Sequence, residues 1–321
     1  MFEHLIEQLV ICFNAVAPFF LVMGLGWLAV RRKLVGDKFI AGLNKLIFTY
    51  LFPANLFAHI YRADLAYAFD PALAVFFIVS ISVLYLLVWA IGARVLTKPK
   101  LGAFVQAVYR SNYVILSIPI ILLLFGEYAL PKTALMVPFV VATNAILATV
   151  IFIVNGENSG LSGLAHMKNV LLGILKTPMI IGVAIGVLAN LAGLSLPLVL
   201  SRGIGSVADM AAPAALIGIG GVLSLEKVRR HFKFALAAAL LKNVLVPLWM
   251  IIPAVLLGFR GVELAIIAMI GLAPTAAVSY ATAVEMGGDG DATVSCLVLS
   301  NAAALFTIVP GLAVLGAMGL F

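Results

Sequence analysis

Ten continuous apolar runs of membrane-crossing length fill this chain, at about residues 8–30, 38–60, 71–96, 101–125, 130–154, 169–193, 198–224, 232–258, 262–284 and 291–318. A helix needs roughly 20 apolar residues to cross a hydrocarbon core of about 30 Å. The runs are continuous rather than alternating, which excludes a membrane β-barrel. Little chain remains for loops and none for a separate soluble domain. Composition agrees: 64% of the 321 residues are hydrophobic, 10% are charged and the mean hydropathy is +1.21. An ordinary soluble domain carries about 25% charged residues, and a globule of this size needs a polar shell. A soluble enzyme, a nucleic-acid-binding domain and a disordered protein are excluded. An all-α integral membrane protein remains, with the lipid bilayer as its solvent.

The net charge is +7, and its distribution reads as topology rather than nucleic-acid binding. Odd-numbered loops carry Arg31, Arg32, Lys33, Lys38, Arg94, Lys98, Lys100, Lys168, Lys227, Arg229, Arg230 and Lys233, against Arg62, Lys132 and Arg260 in even-numbered loops. Basic residues concentrate on the cytoplasmic side, so both termini are expected outside. Met1–His4 lacks a basic region and a small-residue cleavage site, so the first span is read as retained. Cys12 and Cys296 fall in apolar spans and read as small core residues.

Five spans per half is an odd number, so a duplicated half would be inserted upside down. Pro18, Gly26 and Pro53 recur 160 positions later as Pro178, Gly186 and Pro213, pairing span 1 with span 6 and span 2 with span 7. Inverted repeats of this kind characterise secondary transporters. The expected division is a five-helix repeat over 1–154, a polar linker over 155–168 and a second, inverted repeat over 169–321.

Polar residues mark the spans that matter. Span 4 reads Arg110-Ser-Asn-Tyr-Val-Ile-Leu-Ser-Ile-Pro119, and span 9 reads Gly271-Leu-Ala-Pro274-Thr-Ala-Ala-Val-Ser-Tyr280. Proline removes a backbone donor and clashes with the carbonyl four residues back. Helix breaks are therefore expected at Pro119 and Pro274. In lipid, freed backbone groups need protein, water or ligand partners, and half-helix N-termini there favour an anion. Arg110 lies about 15 Å along its helix from Lys100, near mid-membrane, and Lys242 is at similar depth from Lys233. A central charge costs about 2.5–3.5 kcal/mol, so such residues face a bundle interior or a water-filled path. Asp209 is the one acidic residue well inside a span. It is a candidate for proton coupling, or for pairing with Lys242 or Arg110. Lys45 is shallower and snorkels or pairs. Asn44, Asn55, Asn112, Asn144 and Asn301 are intramembrane amides, suited to interhelical bonds. Asn55 and Asn112 lie near span-midpoint prolines and are the better binding candidates.

Other motifs read as ordinary. Gly160-Leu-Ser-Gly163 lies in the polar linker with His166 and reads as flexible connection rather than a protease motif. Asp289 reads as the cap of span 10. Gly182-Val-Ala-Ile-Gly186 reads as close helix packing. There is no phosphate loop, metal cluster or catalytic constellation, so no cofactor and no enzymatic activity are expected.

Several segments together resemble the auxin efflux carrier family, which includes plant PIN-FORMED proteins and bacterial malonate and malate carriers. They are Asn44–Phe57 (NKLIFTYLFPANLF), Arg110-Ser-Asn112 with Pro119, Ala211–Leu216 (AAPAAL), Lys242–Pro247 (KNVLVP), and Ala273–Tyr280 (APTAAVSY) through Glu285–Gly288. The resemblance runs nearly end to end. It implies ten helices in two inverted five-helix repeats, with helices 4 and 9 crossing at their breaks. Helices 1, 2, 6 and 7 would form a scaffold, dimeric in the family, and helices 3–5 and 8–10 a mobile transport domain. Asn112 matches the family position whose amide meets the substrate carboxylate in plant members. The helix 5 glutamine of plant members falls on Thr143 or Asn144. A plant serine after the helix 2 proline is replaced here by Leu56, with Asn55 one position earlier, so the pocket is not expected to be the auxin one.

The resulting expectation is a secondary transporter of a small organic anion, a mono- or dicarboxylate such as malonate or malate, in a bacterial inner membrane. The break dipoles, Asn112, Arg110, Asn55 and Asn144 would hold the anion, with Thr275 and Ser279 lining the opposite break. The alternatives are a sodium-coupled organic-anion symporter of the bile-acid type and a non-transporting ligand sensor on the same fold. Span 4 has no acidic residue for sodium, and no output domain fits.

Overall fold

A computed structural model describes residues 2–155, 172, 173, 175–223 and 225–321. The linker after Asn155, with Gly160–Gly163 and His166, and the start of span 6 lie outside the described residues. Helices and their connecting turns make up the fold. Span 1 is α1 (Phe2–Arg31). Span 2 is α2 (Asp37–Leu46) and α3 (Phe52–Ile60), followed by a short α4 (Leu65–Ala68). Then come α5 (Pro71–Gly92), α6 (Lys98–Tyr109), α7 (Ile118–Phe125) and α8 (Leu130–Asn155). The second half holds α9 (Pro178–Leu191), α10 (Leu198–Asp209), α11 (Ala211–Val222) and a short α12 (Leu225–Arg230). It closes with α13 (Phe232–Leu240), α14 (Val246–Leu256), α15 (Gly261–Leu272), α16 (Val278–Glu285) and α17 (Gly290–Ala317). Six helical stretches among the described residues are long and apolar enough to cross a membrane: Leu5–Arg31, Leu65–Gly92, Glu127–Asn155, Leu198–Val222, Phe232–Leu256 and Gly290–Ala317. Tyr113–Phe125, Pro178–Leu191 and Gly261–Leu272 are shorter apolar helices.

The prolines act in two ways. Pro53, Pro119 and Pro247 each sit in the first turn of a helix, two residues after a π-helical turn at Ile47–Leu51, Tyr113–Ser117 and Leu241–Leu245. The wider turn shifts the bonding register, so Phe52 N–H reaches Ile47 O and Val246 N–H reaches Leu241 O, five residues back. That relieves the clash a proline would make in an unbroken helix. Pro119 therefore does not mark the break in span 4. The chain is extended further upstream, at Arg110 (φ −85°, ψ 108°). Pro274, by contrast, lies within the non-helical segment that follows Leu272, where Ala273 is extended (φ −61°, ψ 135°).

Packing is closest where glycine lets backbones touch. A methyl group at Gly182 of α9 would lie 2.6 Å from the Pro53 carbonyl oxygen of α3. Gly186, one turn on, rests on Ile60 and Phe57 of the same helix. Gly26 of α1 meets the backbone of Ile217 in α11 in the same manner. The two glycines 160 positions apart thus perform matching tasks, α1 on α11 and α9 on α3. The pair Gly182 and Gly186 serves packing within the chain, as its spacing suggested. Helix α15 is buried on all sides except at Gly261 and Glu263, as expected for a helix that is apolar all round. Its first turn is tied down by an ion-pair cluster. Lys132 of α8 contacts Glu263 and lies 3.8 Å from Asp70, which itself caps α5 through Leu73 N–H at 3.0 Å. The Lys132 ammonium also lies 4.5 Å from the ring centroid of Tyr67. Asp289 caps α17 by accepting from Ala292 N–H at 2.9 Å, and Cys12 and Cys296 are buried free thiols.

Candidate functional site

The two interrupted helices meet at their interruptions. Asn112 N–H donates to Pro274 O at 2.8 Å, and Ala276 N–H donates to Arg110 O at 3.0 Å. Ser111 and Thr275 face each other as one antiparallel bridge. Each interruption frees carbonyls at the end of the helix before it. The opposite segment supplies the donors. Thr275 Oγ1 donates to Ala107 O of α6 at 2.7 Å, and Ser111 Oγ donates to Ile270 O of α15. Ser117 Oγ reaches Met269 O at 3.2 Å. A third layer holds the crossing: Ser300 Oγ of α17 accepts from Thr275 N–H at 3.0 Å and donates to Asn243 Oδ1 at 3.0 Å.

Two cations stand at this crossing. Lys242 is fully buried; its ammonium donates to Ser111 Oγ at 2.6 Å and Gly271 O at 3.2 Å. It therefore sits against the C-terminal carbonyls of α15, where a positive charge is favoured. Arg110 is buried at 9% exposure. Its Nη1 donates to Gln106 Oε1 at 3.3 Å and Thr282 Oγ1 at 3.1 Å. A guanidinium has five N–H donors, and both of these bonds use Nη1. Among the described residues neither cation is paired with a carboxylate. Net positive charge in a buried polar site suits an anion.

Among the described residues, four buried polar atoms near the crossing lack a partner: Asn112 Nδ2, Asn144 Oδ1, Ser279 Oγ and Asn301 Oδ1. Buried polar groups are normally bonded, so each orphan asks for a ligand or water. The structure brings Arg110, Asn112, Thr275 and Ser279 together at the crossing. Asn144 joins them through its backbone carbonyl, which accepts from the Tyr109 hydroxyl at 3.0 Å. Thr275 spends its hydroxyl on Ala107 O, so its first task is to staple the crossing. Asn55 is placed differently: its Nδ2 donates to Ala208 O at 3.1 Å, at the end of α10. Asp209 is exposed at the α10–α11 kink and bonds to neither Lys242 nor Arg110. Lys45 is exposed, as a snorkelling lysine is.

Gln106, Ser111, Thr282, Asn243 and Ser300 were not singled out in sequence. Gln106 was detectable as a polar residue one turn before Arg110. Thr282 and Ser300 carry no such signal, because a lone hydroxyl in an apolar span usually bonds its own helix.

Long apolar helices together with a buried, cation-bearing crossing mark an integral membrane protein. Residues 11–310 match the membrane transport protein family, and the chain belongs to that family of auxin efflux carrier-like transporters. Over 289 residues it is 24% identical to an uncharacterized transporter of Methanothermobacter thermautotrophicus, covering 88% of this chain and 92% of that protein.

Proposed function

We propose that the protein is a secondary active transporter of a small organic anion, a mono- or dicarboxylate such as malonate or malate. The observation that carries this reading is the unpartnered Asn112 amide, two residues from Arg110, at a crossing whose two cations are paired with no carboxylate among the described residues. Arg110 and Asn112 are two apart on the interrupted segment of span 4, which is extended at Arg110. A carboxylate there would accept from both. Ser279 lines the opposite segment, with Asn144 and Asn301 adjoining.

The architecture we assign is ten spans in two inverted five-helix repeats, 1–154 and 169–321, joined by the linker 155–168. The matching roles of Gly26 and Gly186, and the reciprocal hydroxyl staples of Ser111 and Thr275, support the inversion. Helices 1, 2, 6 and 7 are the scaffold, through which two copies pair, and the rest form a transport domain that moves as an elevator. Both termini are extracytoplasmic, in a bacterial inner membrane. Lys242, at the crossing itself, is a further candidate for coupling or charge compensation and is favoured over Asp209, which is exposed away from it.

The test is uptake of labelled malonate and malate into proteoliposomes, with and without sodium and a pH gradient. Asn112→Ala should fold and express normally and lose uptake. Wild-type uptake by that variant overturns the site. A strict requirement for sodium replaces the reading with the sodium-coupled one. Binding without net flux replaces it with a sensor.

A further inference from the structure

Arg110 ends α6, and its guanidinium is held by two side chains that carry no charge. Nη1 donates to Gln106 Oε1 at 3.3 Å, one turn back on α6, and to Thr282 Oγ1 at 3.1 Å, on α16. The Thr282 hydroxyl spends its own proton on Val278 O at 3.1 Å, so only its oxygen is left for Arg110. Gln106 is fully buried, and the other end of its amide donates through Nε2 to Ser279 O at 3.3 Å. That fixes which way the amide lies. Turned over, its NH2 would face a guanidinium, which only donates, and its oxygen would face a carbonyl. Gln106 thus ties Arg110 of α6 to the segment that opens α16. Among the described residues no carboxylate pairs with Arg110.

A buried arginine is ordinarily held by a carboxylate. Glutamate has the size of glutamine and is the stronger acceptor for a guanidinium. Ionised, it would also cancel the charge that attracts an incoming anion, and it could not donate to Ser279 O. The neutral amide makes both bonds and leaves the Arg110 charge uncompensated. We infer that Gln106 is a positioning residue of the anion site: it holds the Arg110 guanidinium at the crossing while keeping its charge available to a substrate carboxylate. It acts through Arg110 rather than on the anion. This inference rests on the carrier reading above and adds to it the residue that sets the charge of the site.

The test measures KM and maximal rate of uptake into proteoliposomes for Gln106→Glu and Gln106→Met, with labelled malonate or malate, whichever the wild type transports. Both replacements match glutamine in length. Gln106→Glu should pair with Arg110 and stay monodisperse, and should raise KM at least about tenfold, as expected when a charge-assisted bond to the anion is given up, with the maximal rate changed less than about threefold. Gln106→Met removes the tether but not the charge; it should raise KM by about two- to fivefold and lower apparent Tm, because Ser279 O loses its donor. Protection of the purified protein against heat by the same acid reads binding apart from flux. The concentration giving half-maximal protection should rise in the order wild type, Gln106→Met, Gln106→Glu. An unchanged KM in Gln106→Glu overturns the inference and leaves the carrier reading standing. So does a KM raised as much by methionine as by glutamate, which makes Gln106 a packing residue only. If Gln106→Glu is not monodisperse, Gln106→Met decides alone: an unchanged KM overturns the inference, and a raised KM with the maximal rate kept supports it. Neither uptake nor heat protection of the wild type by either acid refutes the carrier reading beneath it.

Discussion

Replacing Lys242 by methionine separates two reasons for burying a cation. Met keeps the length of the side chain and fills the same space. Losing the ammonium leaves Gly271 O without this donor, at a cost of about 1–3 kcal/mol, while Ser111 Oγ keeps its bond to Ile270 O. The favourable contact of a cation with the C-terminus of α15 is also lost, worth up to about 2 kcal/mol. Against these stands the removal of an ammonium from a fully buried position, which relieves several kcal/mol of desolvation. The opposing terms are of similar size, so the net change is within about 2 kcal/mol in either direction. In a chain of this length that is roughly 5 °C or less in apparent Tm. Had Lys242 a buried carboxylate partner, the same substitution would strand that charge and cost about 3–5 kcal/mol. The assay is thermal unfolding of purified Lys242→Met and wild type in one detergent, followed by proteoliposome uptake. Near-equal apparent Tm with uptake lost places Lys242 in the transport cycle. A drop of 10 °C or more would falsify the account of an unpaired cation held only by Ser111 and Gly271.

Thr275→Val keeps the side-chain shape but strips Ala107 O of its partner; the expected loss is about 1–3 kcal/mol, read as a lowered apparent Tm. Gly182→Val sets a side chain into the Pro53 backbone, so α9 cannot approach α3 and the yield of monodisperse protein should fall; an unchanged yield contradicts the packing. Lys132→Met leaves Asp70 and Glu263 as unneutralised carboxylates at the ends of α5 and α15. It should lower apparent Tm by an amount that Glu263→Gln, which returns the cluster to its wild-type net charge, partly recovers, and double-mutant coupling near zero would refute the cluster.

The membrane class was legible in sequence because the bilayer imposes one length and one polarity on every crossing element. The edges of the six long apolar helices, the Asp289 cap and the Gly182–Gly186 contact followed from equally local rules. The break in span 4 was legible only as a region. Proline was read as the breaker, yet Pro53, Pro119 and Pro247 each follow a π turn that absorbs them. The interruption lies instead at Arg110–Asn112, where the Asn112 N–H and the Ser111 hydroxyl bond to the opposite interrupted helix. Side-chain direction was the least legible property. Asn55 stands near a midpoint proline but spends its amide on Ala208, 153 positions away. The Thr275 hydroxyl is committed to a carbonyl 168 positions away. Such pairings are decided by tertiary contact, which no local pattern encodes.

Interrupted helices are often treated as hinges, because the chain there lacks its internal bonds. The bonding at this crossing argues against a hinge. Ser111, Ser117, Thr275, Lys242 and Ser300 link α6, α13–α14, α15 and α17 through bonds that replace those the interruptions removed. Bending at Arg110–Asn112 would have to break several of these at once, each a buried bond whose loss costs about 1–3 kcal/mol. The contacts of α1 with α11 and of α9 with α3 involve none of these groups. A conformational cycle that moves the crossing as one piece, against the group containing α1, α3, α9 and α11, keeps every staple intact. That is the physical reason to favour motion of the crossing as one body over bending within it. A disulfide or cross-link confined to α6, α15 and α17 should then be tolerated in transport, whereas one joining α17 to α1 should stop it.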